Sequence, residues 1–172
     1  MYKRQALHSA DYRHQVVGAL DPQIGADRAF SLREQFPDQW YELVNPADPA
    51  APLTVRFATA REDFPPNIDG DPAMTHLMVG LMPADGATPN ATVTSLRLRQ
   101  KQGTVEVGTA PTRNGFINTR DPGVSWRWNG TVPIGEWEMT LDGGARSLFT
   151  DGKIEDILFV VTYEGRTPAW TS

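Results

Sequence analysis

The stretch that most constrains this chain is Ile154–Tyr163, IEDILFVVTY, which is apolar on both faces of an extended backbone. Ile157, Phe159, Val161 and Tyr163 project to one side, and Leu158 and Val160 to the other. A strand of this kind needs cover on both sides, so it belongs near the middle of a sheet. The rest of the chain supplies partners. Leu53, Val55 and Phe57 alternate in Leu53–Ala58, and Leu77, Val79 and Leu81 oppose Met74, His76, Met78 and Met82 in Ala73–Met82. Thr94, Leu96 and Leu98 oppose Ser95, Arg97 and Arg99, with a hairpin through Gln100–Gly103 into Val105–Val107. Val124–Trp128 alternates and is closed by Asn129-Gly130, a strong two-residue hairpin signal. Trp137, Met139 and Leu141 then alternate against Glu136, Glu138 and Thr140, and Ala145–Thr150 predicts a single helical turn. Seven or eight short strands spaced roughly ten residues apart predict a mainly β chain, an antiparallel β-sandwich of jelly-roll kind.

Ahead of the strands, Ala6, Leu7, Ala10, Val17 and Leu20 fall at helical spacing and predict an amphipathic helix over Tyr2–Leu20, ended by Asp21-Pro22. Gln23–Arg28 reads as a polar linker. The expected organisation is therefore a helix and linker over 1–29 and a sandwich over 30–172, consistent with one domain and an appendage in 172 residues. Phe30–Asn67 is expected to fasten the chain onto the sheet. Phe30 and Leu32 begin an extended piece, a helical turn opened by Pro37 carries Trp40, Tyr41 and Leu43, and Phe64 plugs the end of the core.

Composition narrows function. A net charge of −5 and a pI near 5.1, with only Arg97, Arg99 and Lys101 clustered, argue against nucleic-acid binding. No apolar run approaches a bilayer span, and the N-terminus lacks the apolar core of a secretory signal. With no Cys, thiol nucleophiles, disulfides and thiolate metal sites are excluded. No G-x-S-x-G, H-E-x-x-H or P-loop pattern occurs, so no catalytic set, metal site or cofactor site is assigned and an enzyme is not expected. His8 and His14 read as helix surface residues without a third ligand, and His76 as a hydrogen-bonded structural residue. Glu136 and Glu138 share a strand face, which is better read as solvated than as a glycosidase pair held across a cleft. Asn67, Asp69 and Asp71 surround Gly70 without the ligand spacing of a calcium loop. The residues that remain as candidate ligand or partner contacts are Trp126, Trp128 and Trp170. Exposed indoles on a sandwich stack sugar rings, so a carbohydrate-binding module is the alternative function.

Several stretches carry a family resemblance. FSLREQFPDQWY at Phe30–Tyr41, then Phe57 followed by REDFPPN at Arg61–Asn67, resembles the C-terminal part of bacterial Tc (toxin complex, or ABC-type insecticidal toxin) A subunits. IGEWEMTL at Ile134–Leu141 and KIEDILFVVTY at Lys153–Tyr163 are similar to the closing strands of those proteins. The resemblance implies a non-enzymatic β domain, either the one that binds the B subunit or one adjoining it. It also implies extracellular work as part of a larger toxin. Partners would be the toxin B subunit or other A-subunit domains, without membrane insertion by this segment. The family's pore helix and shell have no counterpart in these residues, and the family offers no catalytic residues to carry over.

Overall fold

The computed structural model describes residues 23–86 and 88–168. The helix expected over Tyr2–Leu20 lies outside them.

Among the described residues, nine strands form two antiparallel sheets: β1 Gln23–Ser31, β2 Leu53–Thr59, β3 Asp69–Pro83, β4 Thr92–Gln100, β5 Gly103–Val107, β6 Ala110–Pro111, β7 Phe116–Asn118, β8 Gly135–Leu141 and β9 Ile154–Arg166. One sheet runs β1-β9-β3-β7 and the other β2-β8-β4-β5, with β6 alongside β4. The pairings β1 with β9, β2 with β8, β3 with β7 and β4 with β5 are nested, as in one long hairpin folded over itself. Its tip is the β4–β5 turn. β1 to β4 alternate between sheets, and on the return β5 and β6 share the second sheet before β7, β8 and β9 alternate, which is the jelly-roll arrangement.

β9 lies between β1 and β3, the interior position its two apolar faces require. Ile157, Phe159 and Val161 are fully buried between the sheets, while Leu158 and Val160 on the outer face are half-buried. Facing them across the core, β8 contributes Trp137, Met139 and Leu141, and β2 contributes Leu53, Val55 and Phe57. Aromatic rings knit the layers. Phe57 stacks on Trp137 at 6.2 Å, and Phe159 meets Phe57 at 5.0 Å and Trp137 at 4.7 Å, both edge-on. At the other end of the first sheet, Phe64 contacts Phe30 at 6.5 Å and Tyr163 at 5.1 Å, as expected of a plug.

Short helices join β1 to β2. In α1, Leu32–Gln35, the Ser31 Oγ accepts the Glu34 amide at 3.1 Å and donates to Asp156 on β9 at 2.5 Å. α2, Pro37–Val44, opens on the proline and carries Leu43 into the core. Trp40 is only partly buried there and sets its ring edge-on to Phe149 of α3, Arg146–Thr150, while Tyr41 points outward.

Five local expectations are corrected. Gln23–Arg28 is strand rather than linker: β1 is an edge strand registered residue by residue on β9, held by backbone bonds that leave little trace in a polar sequence. Leu32 begins α1 instead of extending the strand. A bulge between Met74 and His76 turns Met74 onto the core face with Leu77 and Val79, and an irregularity between Val93 and Ser95 buries Val93 and leaves Thr94 exposed. Finally, Val124–Trp128 is not a ladder strand. The Asn129-Gly130 turn forms, with the Thr131 amide donating to Trp128 at 3.0 Å, yet the chain beyond it docks on Met74. The paired Asn-Gly hairpin is Asn114-Gly115, where both residues have positive φ, 52° and 82°, and Arg113 bridges Phe116.

Candidate functional site

Beside the Met74–His76 bulge, the edge of β3 loses its strand partner. Thr119 still pairs there, its amide donating to the Leu77 carbonyl at 3.0 Å and its Oγ1 accepting the Leu77 amide at 2.9 Å. The chain then leaves the sheet and returns at Gly130, which donates to the Met74 carbonyl at 2.7 Å, while Met74 donates to Thr131 at 2.7 Å. Residues 120–129 thus form an arch pinned at both feet. Under it lies a cleft of about 460 Å3 whose lining includes Thr75, His76, Thr119, Asp121, Trp126 and Trp128.

The arch alternates in burial. Val124, Trp126 and Trp128 turn inward, and Ser125 and Arg127 outward, so both tryptophans share one face as the sequence pattern requires. That face is buried, with each indole about 2% exposed. An open stacking platform is therefore not what Trp126 and Trp128 offer; Trp170 lies outside the described residues. Trp126 Nε1 donates to the Gly108 carbonyl at 2.8 Å, and the neighbouring core indole of Trp137 donates to Thr59 Oγ1 at 2.9 Å. Trp128, its ring 5.3 Å from that of Trp137, has no acceptor.

Among the described residues, the buried side-chain nitrogens and oxygens without a hydrogen-bond partner are Trp128 Nε1 and His76 Nδ1. Both residues line the same cleft. Leaving a buried donor unpaired costs about 1–3 kcal/mol, so two such groups around one cavity mark a place where stability has been given up. The expectation of a hydrogen-bonded His76 is corrected at Nδ1. Asp121 pairs with Arg113 at 3.2 Å, and the cation Arg127 is held by backbone, its Nη1 donating to the Val124 and Trp126 carbonyls at 3.1 and 2.9 Å.

The other charged surface is the outer face of the second sheet. Arg56 meets Glu138 at 2.9 Å, Arg97 lies 3.1 Å from Glu106 and 4.0 Å from Glu138, and Arg99 pairs with Glu136. Glu136 and Glu138 are thus cross-strand ion-pair members on an open sheet face, not two carboxylates facing across a substrate. Asp69 and Asp71 lie within β3, at an irregularity between Asp69 and Ala73 where Gly70 has a φ of 73°. No group of three or more His, Asp or Glu side chains among the described residues is placed to hold a metal ion, and no helix there is long and apolar enough to cross a membrane.

No protein-family model matches the chain, and no curated protein sequence does. Among solved structures, it is similar to a chain in the cryo-EM structure of Yersinia pseudotuberculosis TcaA-TcaB, with a TM-score of 0.48 and 12% identity over 84% of this chain. It spans 10% of that much longer chain. Chains from turnip yellow mosaic virus (TM-score 0.35, 8% identity, 87% of this chain and 83% of that one) and desmodium yellow mottle tymovirus (0.36, 9%, 88% and 90%) are also similar.

Proposed function

We propose that the chain is a non-enzymatic docking module of a Tc-type toxin A subunit, working outside the cell in the assembly of that subunit with its partners. The observation that carries this reading is where the resembling stretches fall. Phe30, Phe57, Phe64, Trp137, Phe159 and Tyr163 all come from them: Phe159 joins the sheets through Phe57 and Trp137, and Phe64 plugs the end of the first sheet against Phe30 and Tyr163. The resemblance therefore follows one packed unit rather than scattered words. Two features suit such a unit to docking. Among the described residues, β1 and β5 stand at the ends of their sheets, where edge backbone groups can accept a partner's strand. The charged ladder of Arg56, Glu138, Arg97 and Glu106 offers a polar face for orienting a partner rather than a reaction site.

The test is association of the purified chain with a cognate B–C cocoon, read by co-elution in size-exclusion chromatography. Stable co-elution supports the proposal. No association, together with neighbouring genes that encode neither shell nor pore, overturns it. A hydrolytic activity abolished by Glu136→Gln or Glu138→Gln would overturn the non-enzymatic part.

A further inference from the structure

We propose that the cleft beneath the 120–129 arch is a binding site for a neutral polyhydroxyl ligand about the size of one sugar ring. The site differs from an exposed stacking platform: its recognition groups are the unpaired nitrogens of His76 and Trp128 in the cleft wall. Trp128 Nε1 can only donate, so the ligand atom meeting it is an acceptor oxygen. His76 Nδ1 donates or accepts according to tautomer, and a hydroxyl satisfies either. Thr119 Oγ1 already accepts from Leu77, which leaves its O–H to donate, and Asn129 adds an amide at the lining. A cation would find no acceptor at Trp128. A carboxylate would meet Asp121, whose charge is offset by Arg113, and the Arg127 guanidinium in the lining is already engaged by the Val124 and Trp126 carbonyls. Hydroxyls are the chemistry that fits every group.

The two nitrogens are shielded from bulk water, so the arch must lift for a ligand to reach them. Its construction permits this. Between its feet the backbone bond is local, Val124 to Asp121 at 3.0 Å, and the Asp121 carboxylate accepts the Gly123 amide at 2.9 Å. Beyond the arch, Trp126 donates to Gly108 at 2.8 Å, Arg113 pairs with Asp121 at 3.2 Å and Arg120 donates to Thr162 Oγ1 at 3.4 Å, so lifting it breaks three side-chain contacts.

The experiment titrates the 15N-labelled full chain with glucose, galactose, mannose and N-acetylglucosamine separately, following indole N–H cross-peaks. The Trp128 peak, assigned by its loss in Trp128→Phe, is expected to shift saturably with at least one sugar while the Trp137 peak moves far less. Trp128→Phe and His76→Phe should each weaken binding by about tenfold, the scale of one lost hydrogen bond, while Glu155→Gln, in a surface ion pair with Arg33, leaves it unchanged. No saturable shift with any of the four sugars, an equal shift of every indole, or undiminished binding by Trp128→Phe overturns the site. If a variant fails to fold, the wild-type titration decides alone. The proposal is independent of the docking reading, and cocoon co-elution is measured separately, so either can fail without the other.

Discussion

Trp137 and Trp128 carry the same side chain into one core, and their hydrogen bonding separates a structural residue from a candidate ligand group. The Trp137 indole ends on Thr59, whose hydroxyl in turn donates to the Pro133 carbonyl at 2.7 Å, all of it buried. Thr59→Val should therefore cost about 1–3 kcal/mol by urea unfolding, because it orphans both neighbours while keeping the volume. Phe57 packs against Phe36, Trp137 and Phe159, and Phe57→Ala should cost about 3–5 kcal/mol in the same measurement. Glu138→Gln, on the open face of the second sheet, should change stability by less than about 1 kcal/mol. An ordering other than Phe57, Thr59, Glu138 would contradict the assignment of these residues to core, buried network and surface.

At the scale of elements, the two Asn-Gly turns are the most instructive pair. Gly115 and Gly130 have nearly the same φ, 82° and 84°, so the backbone penalty for alanine is similar, about 1–2 kcal/mol. Their surroundings differ. A Cβ at Gly115 would press on Thr88 Cγ2 at 3.0 Å and the Leu81 carbonyl at 3.2 Å, whereas one at Gly130 meets open space. Gly115→Ala should thus lower the melting temperature clearly more than Gly130→Ala. Local sequence could not rank these turns: each dipeptide has one aromatic and one polar neighbour, Arg113 and Phe116 in one case and Trp128 and Thr131 in the other, and what decides pairing is whether the returning chain finds a free strand edge. Past Gly130 that edge is β3 at Met74, not the 124–128 segment. A second prediction concerns α1, whose start is fixed by Ser31. Ser31→Ala removes both the cap and the Asp156 contact and should cost about 1–2 kcal/mol, read by chemical denaturation.

For the whole molecule, the nested ladders place β9 and β3 inside their sheet and β5 at the rim of the other. Amide exchange should be slowest in β9 and in β3 from Leu77 to Leu81, and fastest in β5 and the 120–129 arch, where few ladder bonds protect the backbone. Equal protection of β5 and β9 would contradict this layering.

Alternation alone determined that the chain builds a sandwich, which residues of β2, β8 and β9 face the core, and that Trp126 and Trp128 share a side, because a period of two is written residue by residue. Tertiary structure decided the rest. Strand order, the pairing of polar Gln23–Arg28 as β1, and the bulges that turn Met74 and Val93 inward depend on backbone bonds to distant strands, which side-chain pattern does not encode. The cleft is of this kind too. His76 and Trp128 are 52 positions apart in a sequence that marks neither as unpaired. Only the departure of the chain from β3 at Thr119 and its return at Gly130 brings them to one wall without partners.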